Sequence, residues 1–369
     1  MDIPLARPDI SDAEINAVVA VMKTPHLSLG PKLPEFEAAF AAYCGTRYAV
    51  AISSGTSALH LCMAGIGIRP GDEVITTPFS FVASSNCILF EGGRPVFVDI
   101  DPETWNIDPG RIEAAITPRT RAIIPVDVFG QPADMGPIMA IAKKHRLRVI
   151  EDSCEALGAL YHGRKAGSLG DAGVFGFYPN KQITTGEGGM IVTDDETIAR
   201  LARSMRSQGR GEGAGWLAHE RLGYNFRLSD INCAIGVAQL GRVDEILARR
   251  NRVAEMYRRR LAGDERLSMQ KVLPGVEMSW FVLVVRLSDR YAPADRDRML
   301  GELRSRGIGC SNYFPPIHLQ PYMAERFGFR QGDFPICEAL SARTIALPFH
   351  GGLTEAEVEK ACATLQSLL

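Results

Sequence analysis

The chain lacks the short motifs of several common enzyme classes. A nicotinamide dehydrogenase needs a Gly-x-Gly-x-x-Gly turn behind its first strand, and the nearest string, "GIGIRPG", has neither that spacing nor a strand before it. There is no Gly-x-x-x-x-Gly-Lys-Ser/Thr loop for an NTPase and no Gly-x-Ser-x-Gly elbow for a serine hydrolase. An excess of one charge is missing too. The 41 Lys and Arg side chains nearly balance the 43 Asp and Glu, leaving a net charge of −2 and no general field for nucleic acid or anionic lipid. Any anion must therefore be caught by local groups. No segment approaches the ~20 apolar residues of a membrane span, and "MDIPLARPDISDAEI" at the start has no apolar stretch of signal-peptide length, so a cytoplasmic location is expected. The eight cysteines are scattered and form no Cys-x-x-Cys pair, which argues against a disulfide framework or a zinc site and for small buried hydrophobes.

What is present suits a large enzyme. At 369 residues, with 46% hydrophobic and 23% charged side chains, the chain can bury a sizeable interior and is long for a single core. A large domain over residues 1–240 and a smaller C-terminal one over 241–369 are expected. Ser11 and Glu14 form a capping box ahead of Ile15, Val18, Val19 and Met22, which recur at helical spacing. From Tyr48 onward, β-rich runs alternate with helical patterns: 48–52, 73–77, 95–98, 122–126, 148–151, 173–177 and 190–193. That alternation predicts an α/β fold whose mostly parallel sheet has helices on both faces and binds ligands at the carboxyl ends of its strands. The helical stretch 229–260 contains the basic run "ARRNRVAEMYRRRL", but interleaved glutamates and apolar residues make it a solvated helix face rather than a nucleic-acid patch. A second αβ unit follows, with a strand near 279–286, a helix near 296–306 and a last helix opened by Thr354 and Glu357.

Three strand ends carry the chemistry. In "AVAISSGTSALHL" a strand runs through Gly55 and Thr56 into a helix, whose outward amides and close glycine make a phosphate cup. An ordinary Ser/Thr cap would look the same. In "RLRVIEDSCEALGA", Asp152 ends an apolar strand, where a carboxylate needs a cation or full hydrogen bonding. In "FGFYPNKQITTGEGGMIV", Lys181 lies between a strand and a glycine-rich turn. Each is weak alone. Together they are the parts that hold pyridoxal phosphate: an anchor for the phosphate, a partner for the protonated ring nitrogen, and an amine to bond the aldehyde as a Schiff base.

The strings "SSGTSALHL", "GDEVITTPFSFVASSN", "PVFVDIDPETWNID", "VDVFGQPADM", "VIEDSCEALGA", "FYPNKQITTGEGGMIVTDD", "GYNFRLSDINCAIGVAQL" and "YFPPIHLQPY" together resemble the DegT/StrS-type nucleotide-sugar aminotransferases, which have the aspartate-aminotransferase fold (fold type I). The resemblance runs over nearly the whole chain in the family's order. It implies that Lys181 bonds the cofactor, Asp152 pairs with its ring nitrogen, Gly55 and Thr56 hold its phosphate, and Phe81 stacks on its ring. It also implies that Asn225 reaches the phosphate of a partner subunit's cofactor in a homodimer with composite sites. Glu155 would stand beside the cofactor on the substrate side and His318 near the substrate, although a helix-start acid and a structural histidine are the commoner fates of such residues. Two positions depart from the family's pattern: Gly176 replaces a phosphate-binding serine, and Glu155 replaces the commoner Gln or His.

The resemblance further implies transfer of an amino group from L-glutamate to a nucleotide-linked keto-sugar. "EDSCEALGA" and "NKQITTGEGGMI" look most like 4-aminotransferases of the perosamine-synthase kind, which take a 4-keto-6-deoxyhexose. A sugar dehydratase, a cyclitol aminotransferase and a non-catalytic cofactor-binding sensor are the alternatives. Lys181 speaks against the dehydratases, which carry histidine there, and the intact Lys181, Asp152 and Glu155 speak against the sensor.

Overall fold

A computed structural model describes residues 2–211 and 218–369. The first five strands are β1 (Tyr48–Ile52), β2 (Glu73–Thr76), β3 (Arg94–Phe97), β4 (Thr120–Ile123) and β5 (Arg148–Asp152). A short hairpin, β6 (Leu160–Tyr161) and β7 (Arg164–Lys165), precedes β8 (Ala172–Gly176) and β9 (Gly189–Thr193). The main sheet has the order β1-β9-β8-β5-β4-β2-β3. Strands β3, β2, β4, β5 and β8 are parallel neighbours, and β9 runs antiparallel to both β8 and β1. The expected runs fall on these strands within one residue, except β4, which starts two residues and ends three residues ahead of the expected 122–126.

Helices cover both faces, so the strands are buried on both sides and read as near-continuous apolar runs. Val50, Ile52, Ile150, Val174 and Ile191 pack with Leu59, Leu61 and Met63 of the helix Gly55–Gly65 on one face. Ala49, Ala51, Phe175, Met190 and Val192 pack with Phe36 and Phe40 of the helix Lys32–Cys44 on the other. The capping box at Ser11 is formed, with Glu14 accepting from Ser11 N at 2.6 Å.

The long helical stretch divides into Asp230–Gly241 and Val243–Leu261. The second helix joins two interiors, because Val243 and Ile246 pack with Phe36 and Phe40 while Val253, Ala254, Tyr257 and Leu261 belong to a separate core. That core surrounds a sheet ordered β10-β12-β13, made of β10 (Leu267–Ser268), β12 (Leu283–Leu287) and β13 (Thr344–Leu347). The intervening β11 (Val276–Glu277) adds instead to the hairpin at β6, tying the second unit to the first. Ile3 also joins the second core and pairs with Ile308. All eight cysteines are free, and all but Cys154 are buried. Among the described residues no helix is long and apolar enough to cross a membrane.

Candidate active site

The reversed direction of β9 sets the site. Strands β1, β5 and β8 end at one edge of the sheet, and β9 starts there, with Gly189 opposite both Ile52 and Gly176. The loop 177–188 between β8 and β9 therefore lies on the same edge as the ends of β1 and β5. Beyond β1, Ser54 caps the helix Gly55–Gly65 by accepting from Ser57 N at 3.0 Å, which leaves the first-turn amides of Gly55 and Thr56 without partners inside the helix. A Cβ on Gly55 would stand 2.9 Å from Cys154 Sγ, and one on Gly189 would stand 2.5 Å from the carbonyl carbon and oxygen of Ser54. The backbones meet more closely than side chains permit, and the cup is made of main chain.

Beyond this cup opens a cavity of about 650 Å³ lined by Gly55, Thr56, Phe81, Asp152, Glu155 and Lys181, among others. Asp152 is buried; its Oδ2 accepts from Ser84 Oγ at 2.6 Å and its Oδ1 from Cys154 N at 3.3 Å. Glu155 is buried in the turn after β5 and accepts from Phe129 N at 2.9 Å through Oε2. Its other oxygen lies 3.5 Å from Lys181 Nζ. Burial pushes the Glu155 carboxyl above its usual range, while the Lys181 ammonium and the Phe129 amide pull the other way. The pair is thus the cavity's charge balance on this side. Lys181 Nζ also stands 3.9 Å from the centre of the Phe281 ring, a cation–π contact from the second unit.

The lysine loop is held from several directions. Lys181 N donates to Tyr178 O at 2.9 Å, Thr185 N to Phe177 O at 3.1 Å, and Gln182 Nε2 to Ser279 O at 3.1 Å. Gln182 Nε2 also reaches the carbonyl of Glu155, so Lys181 and Glu155 are positioned by one neighbour. Fixed in this way, the amine needs little reorganisation to meet a ligand.

Phe81 stands at the cavity wall with 61% of its surface exposed, room enough for a flat ring to cover it. Two of the expected residues are not brought to the cavity. His318 is enclosed: its Nε2 is 3.0 Å from Glu338 Oε1, its ring centre is 4.7 Å from that of Phe334, and burial holds its pKa below the ordinary histidine value. The reason is the short turn Ile317–Leu319, which buries Ile317 and His318 together. Asn225 is exposed outside the cavity lining, on a segment bridged to Ser207.

The residues that sequence reasoning missed are Phe281, Tyr313, Phe314 and Asn180, all of which line the cavity, and Ser84 behind Asp152. Asn180 precedes the lysine, and Tyr313 and Phe314 open the string that drew attention to His318, so the signal was local but attached to the wrong side chain. Phe281 gave no signal, because its part depends on how the second unit docks.

Pyridoxal phosphate fits this arrangement: a main-chain cradle that Cβ atoms would fill, a buried carboxylate, and an amine paired across the same cavity. Comparison with known proteins agrees. The chain is 42% identical over 370 residues to the GDP-perosamine synthase of Caulobacter vibrioides, covering 100% of this chain and 98% of that protein. Among solved structures, S. venezuelae DesV in complex with a ketimine intermediate superposes with a TM-score of 0.90 at 34% identity, over 96% of this chain and 93% of that one. The sugar aminotransferase Spr1654 of Streptococcus pneumoniae, named as putative and solved in its PLP form, superposes with a TM-score of 0.95 at 28% identity, over 100% and 98%. With residues 8–366 matching the DegT/DnrJ/EryC1/StrS aminotransferase family from end to end, the chain belongs to that family.

Proposed function

We propose that this protein moves the amino group of L-glutamate to a nucleotide-linked keto-sugar of the 4-keto-6-deoxyhexose class, giving an amino sugar. The observation that carries the reading is the buried Lys181–Glu155 pair sharing one cavity with Asp152 and the main-chain cup. The likeness to a GDP-perosamine synthase supports the sugar class.

When bound, pyridoxal phosphate supplies an aldehyde for the amine and a ring that takes up electrons as a proton leaves the carbon beside nitrogen. The chain's residues do the rest. The first-turn amides of the helix Gly55–Gly65 would hold the phosphate at a helix start, where anions are favoured. Asp152 would pair with the protonated ring nitrogen, and Phe81 would offer its ring as a stacking surface. Lys181 Nζ would take the proton from the donor's α-carbon and deliver it to the carbon that receives the amino group within the same half of the cycle, and the reverse movement would serve the second half. Glu155 stabilises that amine while it is charged.

Charge also supports a composite site. Among the described residues lining the cavity, Lys181 is the one cation, facing the acidic Asp152, Glu155 and Glu187. A cofactor phosphate, a donor carboxylate and a sugar diphosphate together require more positive charge or more donors than this. We infer that a second copy supplies them, Asn225 included, and the exposed Ile15, Val19 and Met22 on one helix face offer apolar surface for such contact.

The test is direct. Borohydride should fix the cofactor to Lys181, glutamate should convert the aldehyde form to the amine form, and a panel of nucleotide-linked 4-keto-6-deoxyhexoses should reverse that conversion. An adduct on another lysine, or no response to glutamate, overturns the reading. For the composite site, refolding Lys181→Ala with Asn225→Ala should give mixed dimers with one intact site that outperform both parents at limiting cofactor.

A further inference from the structure

Asp152 does not stand alone behind the cavity. Ser84 Oγ lies 2.6 Å from Asp152 Oδ2, 2.8 Å from Ser80 Oγ and 3.3 Å from Phe81 O. Ser84 is fully buried in the first turn of the helix Ala83–Phe90, and Ser80, 5% exposed, lines the cavity. A serine hydroxyl has one proton to give. The carboxylate is the nearest and most strongly attracting acceptor, so the Ser84 proton is committed to it. Ser80 must then be the donor to Ser84. The contacts therefore have a direction, from the cavity wall through two hydroxyls to Oδ2.

We infer that Ser80 and Ser84 form a directed relay that positions Asp152, making Ser84 a positioning residue for the electron-accepting ring. This rests on the reading that Asp152 meets the ring nitrogen. With Oδ2 capped, the carboxylate cannot turn freely. Oδ1, which accepts the long 3.3 Å contact from Cys154 N, keeps lone-pair capacity for a ring N–H. The Ser84 hydroxyl donates to the charged form of the carboxylate, the form that a protonated ring nitrogen would meet. Each hydroxyl polarises the next, so the outer serine strengthens the inner bond. The turn that carries Ser80 and Ser84 also carries Phe81, so one short segment sets both the partner of the ring's edge and the cover of its face.

The experiment uses holoenzyme reconstituted with pyridoxal phosphate labelled with nitrogen-15 in the ring, read by the nitrogen chemical shift and by the single-turnover rate with glutamate. Ser84→Ala should move the signal toward the unprotonated position and slow the half-reaction about tenfold, the size of one charge-assisted hydrogen bond. Ser84→Thr, which keeps the hydroxyl, should restore both. Ser80→Ala should give a smaller shift and a slowing of about threefold, and it decides the matter if Ser84→Ala does not fold. A wild-type signal and rate in Ser84→Ala, or in Ser80→Ala where that variant decides, overturns the relay if Asp152→Asn moves both. If Asp152→Asn moves neither, the pairing of Asp152 with the ring fails instead, and the relay falls with it.

Discussion

The carboxyl end of β5 and the core around β12 and β13 are both deeply buried, and they are built from opposite materials. At the end of β5, Glu151, Asp152 and Glu155 lie below the surface with Asp127 beside them. Glu151 accepts three backbone amides, from Gly167 at 2.9 Å and from Leu169 and Gly170 at 2.6 Å. Burial still pushes its pKa up to about 7 against those amides. Asp127 accepts from Ala133 N at 3.0 Å and Ser153 Oγ at 2.6 Å, and it too is driven upward by burial and by Glu151. Around β12, by contrast, Leu283, Val285, Leu287, Ile345 and Leu347 meet Val358, Ala361 and Leu365 in an apolar interior. Buried charge is costly unless matched, so a fold that gathers four carboxyls at one strand end has accepted that cost at a working site. The second unit supplies stability and lends Phe281 and the segment 312–315 to the cavity wall.

The contrast breaks most sharply at Lys181. Lys181→Ala should reduce transamination by about 10³-fold or more, since it removes both the bonding amine and the proton carrier. Stability should change by only about 1 kcal/mol, because the Glu155 carboxyl, already driven upward by burial, can take a proton. Single-turnover kinetics with glutamate and a denaturant melt measure the two quantities. Leu365→Ala, in the apolar core, should do the reverse: lose about 3 kcal/mol of stability while molecules that remain folded keep the wild-type half-reaction rate. Parallel losses of rate and stability in both variants would show that the two regions are not separable.

A finer division runs within the cup. At Gly189 an added Cβ would strike the Ser54 backbone at 2.5 Å, and backbone cannot step aside, so Gly189→Ala should cost about 2 kcal/mol and weaken cofactor binding. At Gly176 the nearest atoms to an added Cβ are Cys154 Sγ at 3.5 Å and Cys154 Cβ at 3.6 Å, which is ordinary contact. Gly176→Ser should therefore change stability by less than about 1 kcal/mol. Its hydroxyl should leave cofactor affinity equal or a few-fold tighter in a fluorescence titration.

How much of this was legible beforehand follows from the range of the forces involved. Strand runs, the capping boxes at Ser11 and Thr354, and the order of the sheet-edge residues depend on local periodicity and short-range hydrogen bonds, so the sequence carried them. The meeting of Asp152 and Lys181 was readable because parallel strands deliver their ends to one edge, and Glu155 came with the resemblance. The antiparallel course of β9 was not, and it returns the chain from that edge, so that the loop 177–188 stays there over its whole length. Phe281 and Ser84 were invisible for a related reason. One acts through the docking of a second unit and the other through a contact with a residue 68 positions away. His318 was placed near the substrate by the resemblance alone, whereas here its ring is fully enclosed.

That enclosure gives the smallest effect and a clean sign. His318 keeps its Nε2 at Glu338, but its Nδ1 is buried without a partner among the described residues, so a second ring proton would find no acceptor there. Burial accordingly lowers its pKa despite the pull of Glu338. Below the ordinary histidine value near 6.5, the unfolded chain takes up a proton that the folded chain refuses, so stability falls as pH falls through that range. The slope from this one group reaches at most about 1.4 kcal/mol per pH unit. His350, also held down by burial, adds a slope of the same sign. His318→Asn should remove one proton's share of the slope between about pH 6.5 and 5 and leave the glutamate half-reaction within about twofold of wild type. Melts at a series of pH values, paired with single turnovers at neutral pH, separate the outcomes. An unchanged slope together with a large loss of rate would return His318 to the substrate and dismiss it as a buried neutral ring.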